Sequence, residues 1–354
     1  MVLGAGLMGR LLAHALAQLE HRVEIHEAQG PLMQGSAAWV AAAMLAPLAE
    51  SAVTELPVVR MGLHSIERWP AILAQLSEPV FFQRNGTLIV WHRQDAPEAR
   101  RFEQLIHRTT SQLPERFSFN SLEPQDLAEQ EPELQGRFER ALFLAGEGQL
   151  DNRQLLSALL HSLRRQGVKL NWHSARSPSD FQPGTTGQPD WVFDCRGLGA
   201  RPQWPQLRGV RGEVIRLHAP AVNLRRPLRL IHPRYPLYIA PKENHLFVVG
   251  ATEIESDDVS PASVRSTLEL LSAAYTVHSG FAEARILEIN TQARPTLPDN
   301  LPSVRFLGER CVQINGLYRH GFLIAPALTD ALLEWVEQGS DALAAALSLR
   351  FEHD

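Results

Sequence analysis

Three glycines near the start of the chain have the spacing of a phosphate-binding turn. Gly4, Gly6 and Gly9 form a G-x-G-x-x-G pattern, and Glu27 follows further along. In such a pattern the first glycine makes a tight turn, the second lets a pyrophosphate approach the backbone, and the third lets a helix pack closely on a strand. A carboxylate at the position of Glu27 can accept hydrogen bonds from a ribose diol. The residue types and their spacing predict a dinucleotide site.

The elements around this turn are those that a dinucleotide site requires. Apolar residues recur at helical spacing over residues 6–19, and residues 23–26 have the character of a short strand. The N-terminus of such a helix faces the phosphates with free N–H groups and a favourable dipole. Only Met1, Val2 and Leu3 precede the turn, whereas strands usually have about five residues. A strand this short would weaken the sheet, which leaves open a natural start upstream of Met1.

The order of the predicted elements indicates an α/β protein with a β-rich insert. Helices are predicted at residues 57–76, 96–108, 151–166, 261–276 and 326–338, and strands at 86–92, 168–172, 191–195, 210–218, 228–232, 237–240, 246–250, 285–294, 304–307 and 311–315. We therefore predict a Rossmann-type nucleotide-binding domain that carries an inserted antiparallel β-sheet substrate domain. The first domain comprises residues 1–75, 141–205 and 304–354, and the second comprises residues 76–140 and 206–303.

Composition excludes several other classes of protein. The formal net charge is −5 and the basic residues are dispersed, which argues against a nucleic-acid-binding surface. Cys195 and Cys311 are too few for a disulfide framework and lack the spacing of a metal site, so we expect free thiols in a reducing cytoplasm. No apolar stretch reaches transmembrane length, and no signal peptide is recognisable before Gly4. We expect a cytoplasmic protein with no membrane span, no nucleic-acid partner and no metal.

A run of small residues fills positions 35–47, with the sequence GSAAWVAAAMLAP. So many small side chains suggest that the backbone closely approaches a flat ligand, although an alanine-rich core helix would give the same composition. The phosphate-binding turn does not distinguish NAD from FAD, because one fold serves many functions. The choice between these cofactors depends on the rest of the chain.

Several short motifs occur in order along the chain. They are the glycine turn with Glu27, Ala41-Ala42-Ala43-Met44-Leu45, Gly86-Thr87-Leu88, Gly250-Ala251-Thr252, Arg294-Pro295 followed by Pro298-Asp299, Tyr318-Arg319-His320-Gly321 and Leu323-Ile324-Ala325-Pro326. With these motifs the chain resembles, nearly end to end, the D-amino-acid-oxidase-like flavoproteins and, within them, the ThiO-type glycine oxidases of thiamine biosynthesis. The resemblance implies that the cofactor is FAD.

Carried over position by position, the resemblance implies a set of FAD contacts. They are Gly4, Gly6, Leu7, Met8 and Gly9 at the phosphate turn, Glu27 and Ala28 at the adenosine ribose, Ala37 and Ala38 near the phosphates, Ala42, Ala43 and Met44 along the isoalloxazine, Arg176 on the adenine side, and Leu317, Tyr318, Arg319, His320, Gly321, Phe322 and Leu323 around the flavin ring. The family often has glycine at the position of Ala43 and asparagine at that of His320. Both departures lie beside the ring, so they affect fine specificity more than cofactor binding.

The resemblance also implies a substrate clamp. Arg294 and Arg319 match the carboxylate-binding arginines of the family, and Tyr238 matches a tyrosine whose hydroxyl adds a third bond. The planar guanidinium suits this task because it can bond both carboxylate oxygens. Without the resemblance, Arg294 at a strand end could equally be a surface ion-pair residue. No protein nucleophile is expected, since a flavin accepts the hydride itself, and His320 is more typical of a hydrogen-bond donor to the ring than of an acid or base.

The function implied is the oxidation of glycine or another small amino acid by FAD and molecular oxygen. The imine product would hydrolyse to a 2-oxo acid and ammonia, with hydrogen peroxide as the second product, or would feed thiazole synthesis in thiamine biosynthesis. Whether the chain forms a homo-oligomer stays open at this point.

Three alternatives also stay open. A D-amino-acid dehydrogenase of the same fold would pass electrons to a quinone or another carrier instead of oxygen. A flavoprotein with an assembly or tRNA-modification role would not oxidise amino acids at all. An NAD-dependent dehydrogenase would be colourless when purified.

Overall fold

The structure is a computed structural model that describes residues 1–113, 119–232 and 237–353. In this part of the chain the α-helices are Leu7–Gln18 (α1), Ala37–Val40 (α2), Pro47–Glu50 (α3), Leu56–Ala74 (α4), Ala96–Thr110 (α5), Pro124–Gln130 (α6), Asn152–Arg165 (α7), Val264–Val277 (α8), Gly321–Gln338 (α9) and Ala342–Leu347 (α10). The strands are Val2–Leu3 (β1), Glu24–His26 (β2), Met44–Leu45 (β3), Phe82–Gln83 (β4), Thr87–Val90 (β5), Asn120–Leu122 (β6), Ala141–Leu144 (β7), Gly148–Leu150 (β8), Lys169–Asn171 (β9), Val192–Asp194 (β10), Arg208–His218 (β11), Leu228–Leu230 (β12), Leu237–Pro241 (β13), Leu246–Gly250 (β14), Ile254–Glu255 (β15), Arg285–Thr296 (β16), Ser303–Phe306 (β17), Cys311–Asn315 (β18) and Arg350–His353 (β19).

A seven-stranded sheet is built around the N-terminal strand. Its order is β19-β17-β18-β10-β1-β2-β9, and its pairs are parallel except for the predicted hairpin of β17 and β18. Although β1 has only two residues, Val2 pairs with Phe193 on one side and with Ile25 on the other. Helix α1 connects β1 to the parallel strand β2. The predicted strand–turn–helix–strand unit is therefore confirmed, with its short first strand in the interior of the sheet, between β10 and β2.

A second, larger sheet contains the strands of the predicted insert. Its order is β15-β11-β14-β13-β12-β5-β7-β6, and β16 pairs antiparallel along β11. The sheet is antiparallel except between β12 and β5, which belong to distant segments of the chain and run parallel. Strand β7 lies in this sheet, although it begins just past the predicted domain limit at residue 140. The domain limits themselves remain a prediction.

Two helices begin at residues other than those predicted. Helix α8 was expected from Pro261 but begins at Val264, because the Ser263 hydroxyl caps it by accepting from the Ser266 N–H at 3.1 Å. Helix α9 was expected from Pro326 but begins at Gly321 and contains the proline.

Helix α9 tolerates its internal proline because the freed carbonyl has another partner. Pro326 has no N–H to donate to the carbonyl of Phe322, four residues earlier. Instead, the indole Nε1 of Trp69 on α4 donates to that carbonyl at 3.0 Å. The helix can therefore begin five residues earlier, which brings its first turn to the cavity described below.

Two apolar cores support the two sheets. The larger contains Leu11 of α1, Trp69 of α4 and Leu328 of α9, all almost completely buried. The second contains Phe247 of β14 and Leu270 of α8. Of the helices that the structure describes, none is both long and apolar enough to cross a membrane.

Candidate active site

A cavity of about 500 Å³ is lined by residues from both large sheets. The glycine turn and Glu27 line it from the seven-stranded sheet, while Tyr238 and Arg294 line it from the larger sheet. Its size is in the range of small-molecule and cofactor sites.

The three glycines of the turn have different surroundings. Gly4 has φ +92°, and a Cβ there would lie 2.8 Å from the carbonyl oxygen of Cys195. A Cβ on Gly9 would collide with the carbonyl oxygen of Gly4. By contrast, a Cβ on Gly6 would meet no protein atom within 4 Å. Gly6 is also the N-cap of α1 and has no side chain to bond the first-turn N–H groups, so an anion has both the space and the donors it needs there.

Glu27 holds the shape of the turn from the end of β2. Its Oε2 accepts from the Ala5 N–H at 2.7 Å, and its Oε1 accepts from the Gln29 N–H at 2.9 Å. A carboxylate oxygen can accept more than one hydrogen bond. Glu27 can therefore keep these backbone contacts and still accept from a ribose hydroxyl.

Arg10 is a residue of this turn that the sequence analysis missed. Its guanidinium is buried and donates to the carbonyls of Ala5, Leu156 and Pro31 at 2.8, 2.6 and 2.8 Å. Burial lowers the pKa of Arg10 to about 10. Arg10 thereby ties the glycine turn to α7 and to the loop after β2. The only signal in the sequence was an arginine among the apolar positions of α1.

The small-residue run is not a continuous core helix. It forms the single turn α2, an extended stretch and the short strand β3. Ala43 in this stretch has φ +53°, a left-handed conformation that favours glycine over residues with a Cβ. This conformation gives a physical reason why the resembling family often has glycine there.

Lys242 holds the same stretch from the larger sheet. Its buried Nζ donates to the carbonyls of Ala42 and Leu150 at 2.9 and 2.7 Å and to Oε1 of Gln149 at 2.9 Å. Burial lowers the pKa of Lys242 to about 7. The only sign of this role in the sequence is a lysine directly after β13.

Arg294 and Tyr238 reach the cavity across two glycines. The Arg294 guanidinium lies where a Cβ on Gly212 would be, and the Tyr238 hydroxyl would lie 2.8 Å from a Cβ on Gly250. Within the described residues, the Arg294 guanidinium donates only to carbonyl oxygens, including those of Thr252 at 3.1 Å and Arg211 at 3.3 Å. Arg294 therefore carries a partly buried positive charge that forms no ion pair with a carboxylate of these residues.

Arg319, the second predicted clamp residue, has a different environment. Its Nη2 lies 2.8 Å from Oε2 of Glu50, and its Nη1 donates to Oε2 of Glu253 at 3.0 Å. Although burial acts in the opposite direction, the two carboxylates raise the pKa of Arg319. Its charge is therefore already balanced by protein groups, and neither carboxylate was identified from the sequence.

Glu50, at the end of α3, lies between two arginines. Its Oε1 accepts from Nη1 of Arg229 at 2.9 Å, and Arg319 is on the other side. Burial alone would raise the pKa of Glu50, but the two guanidinium groups lower it to about 2. Burial lowers the pKa of Arg229, which also donates to the carbonyl of Ala49 at 3.0 Å.

Glu147 holds the other end of α3. Its Oε1 accepts from the N–H groups of Leu48 and Ala49 at 2.7 and 2.8 Å. These donors are first-turn groups that have no partner inside the helix. Burial raises the pKa of Glu147 to about 7. Glu147 and Arg229 therefore fix α3 from both ends, which sets the position of Glu50.

His320 is neutral in this cluster. It is almost fully buried, and its Nδ1 lies 3.6 Å from Oε2 of Glu50. Burial lowers the pKa of His320 to about 3; Glu50 opposes this shift, and the nearby arginines add to it. It is therefore neutral at physiological pH and holds no second proton to donate as a general acid.

Nearly all the predicted contact residues line this one cavity. The exceptions are Gly9, which packs under the turn, and Arg176, whose carbonyl accepts from Nη1 of Arg196 at 3.1 Å. Cys195 and Cys311 are buried free thiols. Among the residues that the structure describes, no group of three or more His, Cys, Asp or Glu side chains could hold a metal ion.

Comparison with known proteins agrees with the fold and the predicted resemblance. A protein of Rhizobium etli, described as a candidate thiamine biosynthesis oxidoreductase, ThiO, is 41% identical over 332 residues, which cover 93% of each chain. The solved structure of glycine oxidase from Geobacillus kaustophilus superposes with a TM-score of 0.82 at 24% identity, over 98% of this chain and 97% of that one. The solved structure of iminodiacetate oxidase from Chelativorans sp. BNC1 superposes with a TM-score of 0.80 at 20% identity, over 100% of this chain and 99% of that one.

The residues present suit FAD. Open space at Gly6, free first-turn N–H groups, Glu27 at the end of β2 and the long cavity toward Tyr318 can accommodate an extended dinucleotide. The DAO family, described as FAD dependent oxidoreductase, matches residues 1–335. The chain therefore belongs to the DAO family of FAD-dependent oxidoreductases, as the sequence analysis predicted, and its cofactor is FAD.

Proposed function

We propose that this oxidoreductase oxidises glycine or another small amino acid to the imine, which hydrolyses to a 2-oxo acid and ammonia while oxygen is reduced to hydrogen peroxide. The single observation that carries the proposal is Arg294, a partly buried guanidinium in the cavity whose described hydrogen-bond partners are all backbone carbonyls. Withdrawing a cation from water without a counter-ion is costly. A substrate carboxylate would supply that counter-ion.

The clamp consists of Arg294 and Tyr238. The guanidinium offers two parallel N–H donors to the carboxylate, and the tyrosine hydroxyl, whose pKa is raised by burial, stays protonated and can donate. A substrate fixed at its carboxylate has fewer orientations open to its Cα–H bonds, and this restriction is the main contribution of the protein.

FAD, when bound, supplies the hydride acceptor, so the chain itself needs no nucleophile. His320 is buried and neutral beside Glu50. Because hydride loss requires a neutral amine, the substrate must give up its ammonium proton before or during binding.

The relatives support this substrate class and this pathway. The 41% identical Rhizobium etli protein is described as acting in thiamine biosynthesis, and two solved structures with the same fold are oxidases of glycine and of iminodiacetate. We therefore place the reaction before thiazole formation in thiamine biosynthesis. The buried free cysteines are compatible with a reducing compartment, and the cytoplasm remains part of the proposal.

The test uses the purified yellow protein and a panel of glycine, sarcosine and D-alanine. The proposal predicts that at least one of them bleaches the flavin absorbance without oxygen and yields peroxide in air. Bleaching without peroxide would favour the dehydrogenase alternative. If no amino acid bleaches the flavin, amino-acid oxidation is excluded and a non-oxidase role becomes the better explanation.

A further inference from the structure

Four side chains at the substrate end of the cavity, one buried and three partly buried, carry more positive than negative charge. Arg229, Arg294 and Arg319 are positive, and Glu50 is the acid among them, with 22% of its side chain exposed. Glu253 adds a second negative charge, but 43% of its side chain is exposed, so solvent screens it in part. The cluster is therefore net positive before a substrate enters, with or without Glu253.

Arg229 contributes to this balance without being available as a second clamp. Its Nη1 donates both to Glu50 and to the carbonyl of Ala49, and its guanidinium carbon lies 5.1 Å from the centre of the Phe102 ring. Arg229 therefore offsets the charge of Glu50 while its guanidinium is held against α3. Without Arg229, Glu50 and Glu253 together would balance Arg294 and Arg319.

The remaining titratable groups near the substrate leave the balance unchanged. Tyr238, Tyr318 and His320 are uncharged at neutral pH, since burial raises the pKa of the tyrosines and lowers that of the histidine. Glu147 lies on the far side of α3, where its carboxyl accepts from backbone N–H groups, and burial raises its pKa to about 7, so it is uncharged below neutral pH. The groups that decide the charge are thus Glu50, Arg229, Glu253, Arg294 and Arg319.

An amino acid can enter this site in two protonation states. With a neutral amine it brings one negative charge, which reduces the positive charge of the cluster. As a zwitterion it brings no net charge and adds an ammonium group close to the arginines. Because like charges in a poorly solvated site repel strongly, the two states differ in stability.

We propose that Arg229 and Glu50 together set the protonation state of the bound substrate, so that it is held as a carboxylate with a neutral amine and its proton leaves to solvent without a catalytic base. This inference rests on the proposed amino-acid oxidation. Arg229 acts on the substrate through Glu50, and is therefore a positioning residue.

The test compares four holoenzymes: wild type, Arg229→Met, Glu50→Gln and the double variant. The rate of anaerobic flavin bleaching by glycine is measured against pH, which gives the apparent pKa of the bound amine. Arg229→Met should raise that pKa by about one to two units, and Glu50→Gln should lower it by a similar amount. The double variant restores the original net charge and should return the pKa close to the wild-type value.

Acetate binding gives a second readout that does not depend on turnover. Acetate has the carboxylate but no amine, so its affinity, followed by the change in flavin absorbance, reports the net charge of the site. It should bind about 10-fold more weakly to Arg229→Met and about 10-fold more tightly to Glu50→Gln, with the double variant near wild type. If Arg229→Met fails to fold, the proposal is judged on the changes in amine pKa and acetate affinity that Glu50→Gln causes. Arg229→Lys, which conserves the charge, then serves as the control.

The outcomes separate this inference from the proposed function. Bleaching with one apparent pKa in all four proteins would overturn the charge balance and leave amino-acid oxidation intact. If no amino acid bleaches the flavin, the proposed function fails, and the acetate series still decides the inference about charge. A double variant that remains as impaired as either single variant would indicate a purely structural role and would also overturn the proposal.

Discussion

The guanidinium of Arg319 forms an ion pair with the carboxylate of Glu50, with Nη2 2.8 Å from Oε2, at the wall of the cavity. Arg319 also donates to Glu253, so protein carboxylates occupy it before any substrate arrives. Arg294 has only carbonyl partners in the described chain. Two arginines that the family resemblance assigns to one clamp are therefore expected to have different roles.

Replacing Arg294 should weaken substrate binding. In Arg294→Met the carboxylate loses a charged, bidentate partner, and we expect KM for glycine to rise about 100-fold, which corresponds to about 3 kcal/mol. The KM values are measured from steady-state peroxide production. Arg93→Met is the control, because its side chain is 87% exposed; equal KM values in the two variants would contradict the clamp.

Replacing Arg319 should instead affect stability more than binding. Arg319→Met leaves the buried Glu50 with Arg229 as its remaining partner, and breaking a buried ion pair costs about 3 kcal/mol. Thermal unfolding of the holoproteins should therefore show a larger loss for Arg319→Met than for Arg294→Met, while KM shows the reverse order. The same ranking in both measurements would mean that the two arginines share one role.

Ala43→Gly should stabilise the protein slightly. A left-handed residue with a Cβ costs about 1–2 kcal/mol, and the greater freedom of glycine in the unfolded chain offsets about 0.5–1 kcal/mol of the gain. Chemical unfolding should thus show a net increase in the free energy of unfolding of Ala43→Gly. Ala46→Gly is the matched control, since Ala46 also lines the cavity but has φ −129°, and it should lose stability. A loss at both positions would show that the conformation of Ala43 carries no strain.

Glu147 should make stability fall as the pH rises from about 4.5 to about 7. Its pKa in the folded protein is about 7, raised by burial from an ordinary value of 4.5, so between these values the folded state binds a proton that the unfolded state lacks. Stability in this window decreases with pH, by about 3 kcal/mol in total.

Glu147→Gln isolates that effect because the amide oxygen can still accept from Leu48 and Ala49. Urea unfolding at pH 5, 6 and 7 should show that the free energy of unfolding depends less on pH in this variant than in the wild type. The exposed Glu309→Gln serves as the control and should keep the wild-type slope. An unchanged slope in Glu147→Gln would show that another group causes the pH dependence.

Local spacing explains what the sequence could predict. The glycine turn, α1 and β2 lie within the first 26 residues, so their pattern identifies the βαβ unit directly. The cofactor followed from a resemblance that covers most of the chain. The start of α9 could not be predicted, because the donor that satisfies its freed carbonyl, Trp69, is 253 residues away in sequence.

Glu50, Arg229 and Glu253 were missed for the same reason. Glu50 and Arg229 are 179 residues apart, and Arg319 and Glu253 are 66 apart. Nothing in the immediate neighbourhood of an acid that follows Ala49, or of an arginine in β12, indicates a partner in a distant segment of the chain. Only the fold brings these groups together around the cavity.

The central claim is that Arg294 holds an amino-acid carboxylate beside FAD. The most direct test is an anaerobic titration of the purified yellow protein with glycine, sarcosine and D-alanine, followed by the loss of flavin absorbance, in wild type and in Arg294→Met. We expect at least one of these amino acids to bleach the wild type completely. The Arg294→Met variant should need an about 100-fold higher concentration of that amino acid to reach the same bleaching rate. Bleaching of both proteins at equal concentrations, or of neither, would contradict it.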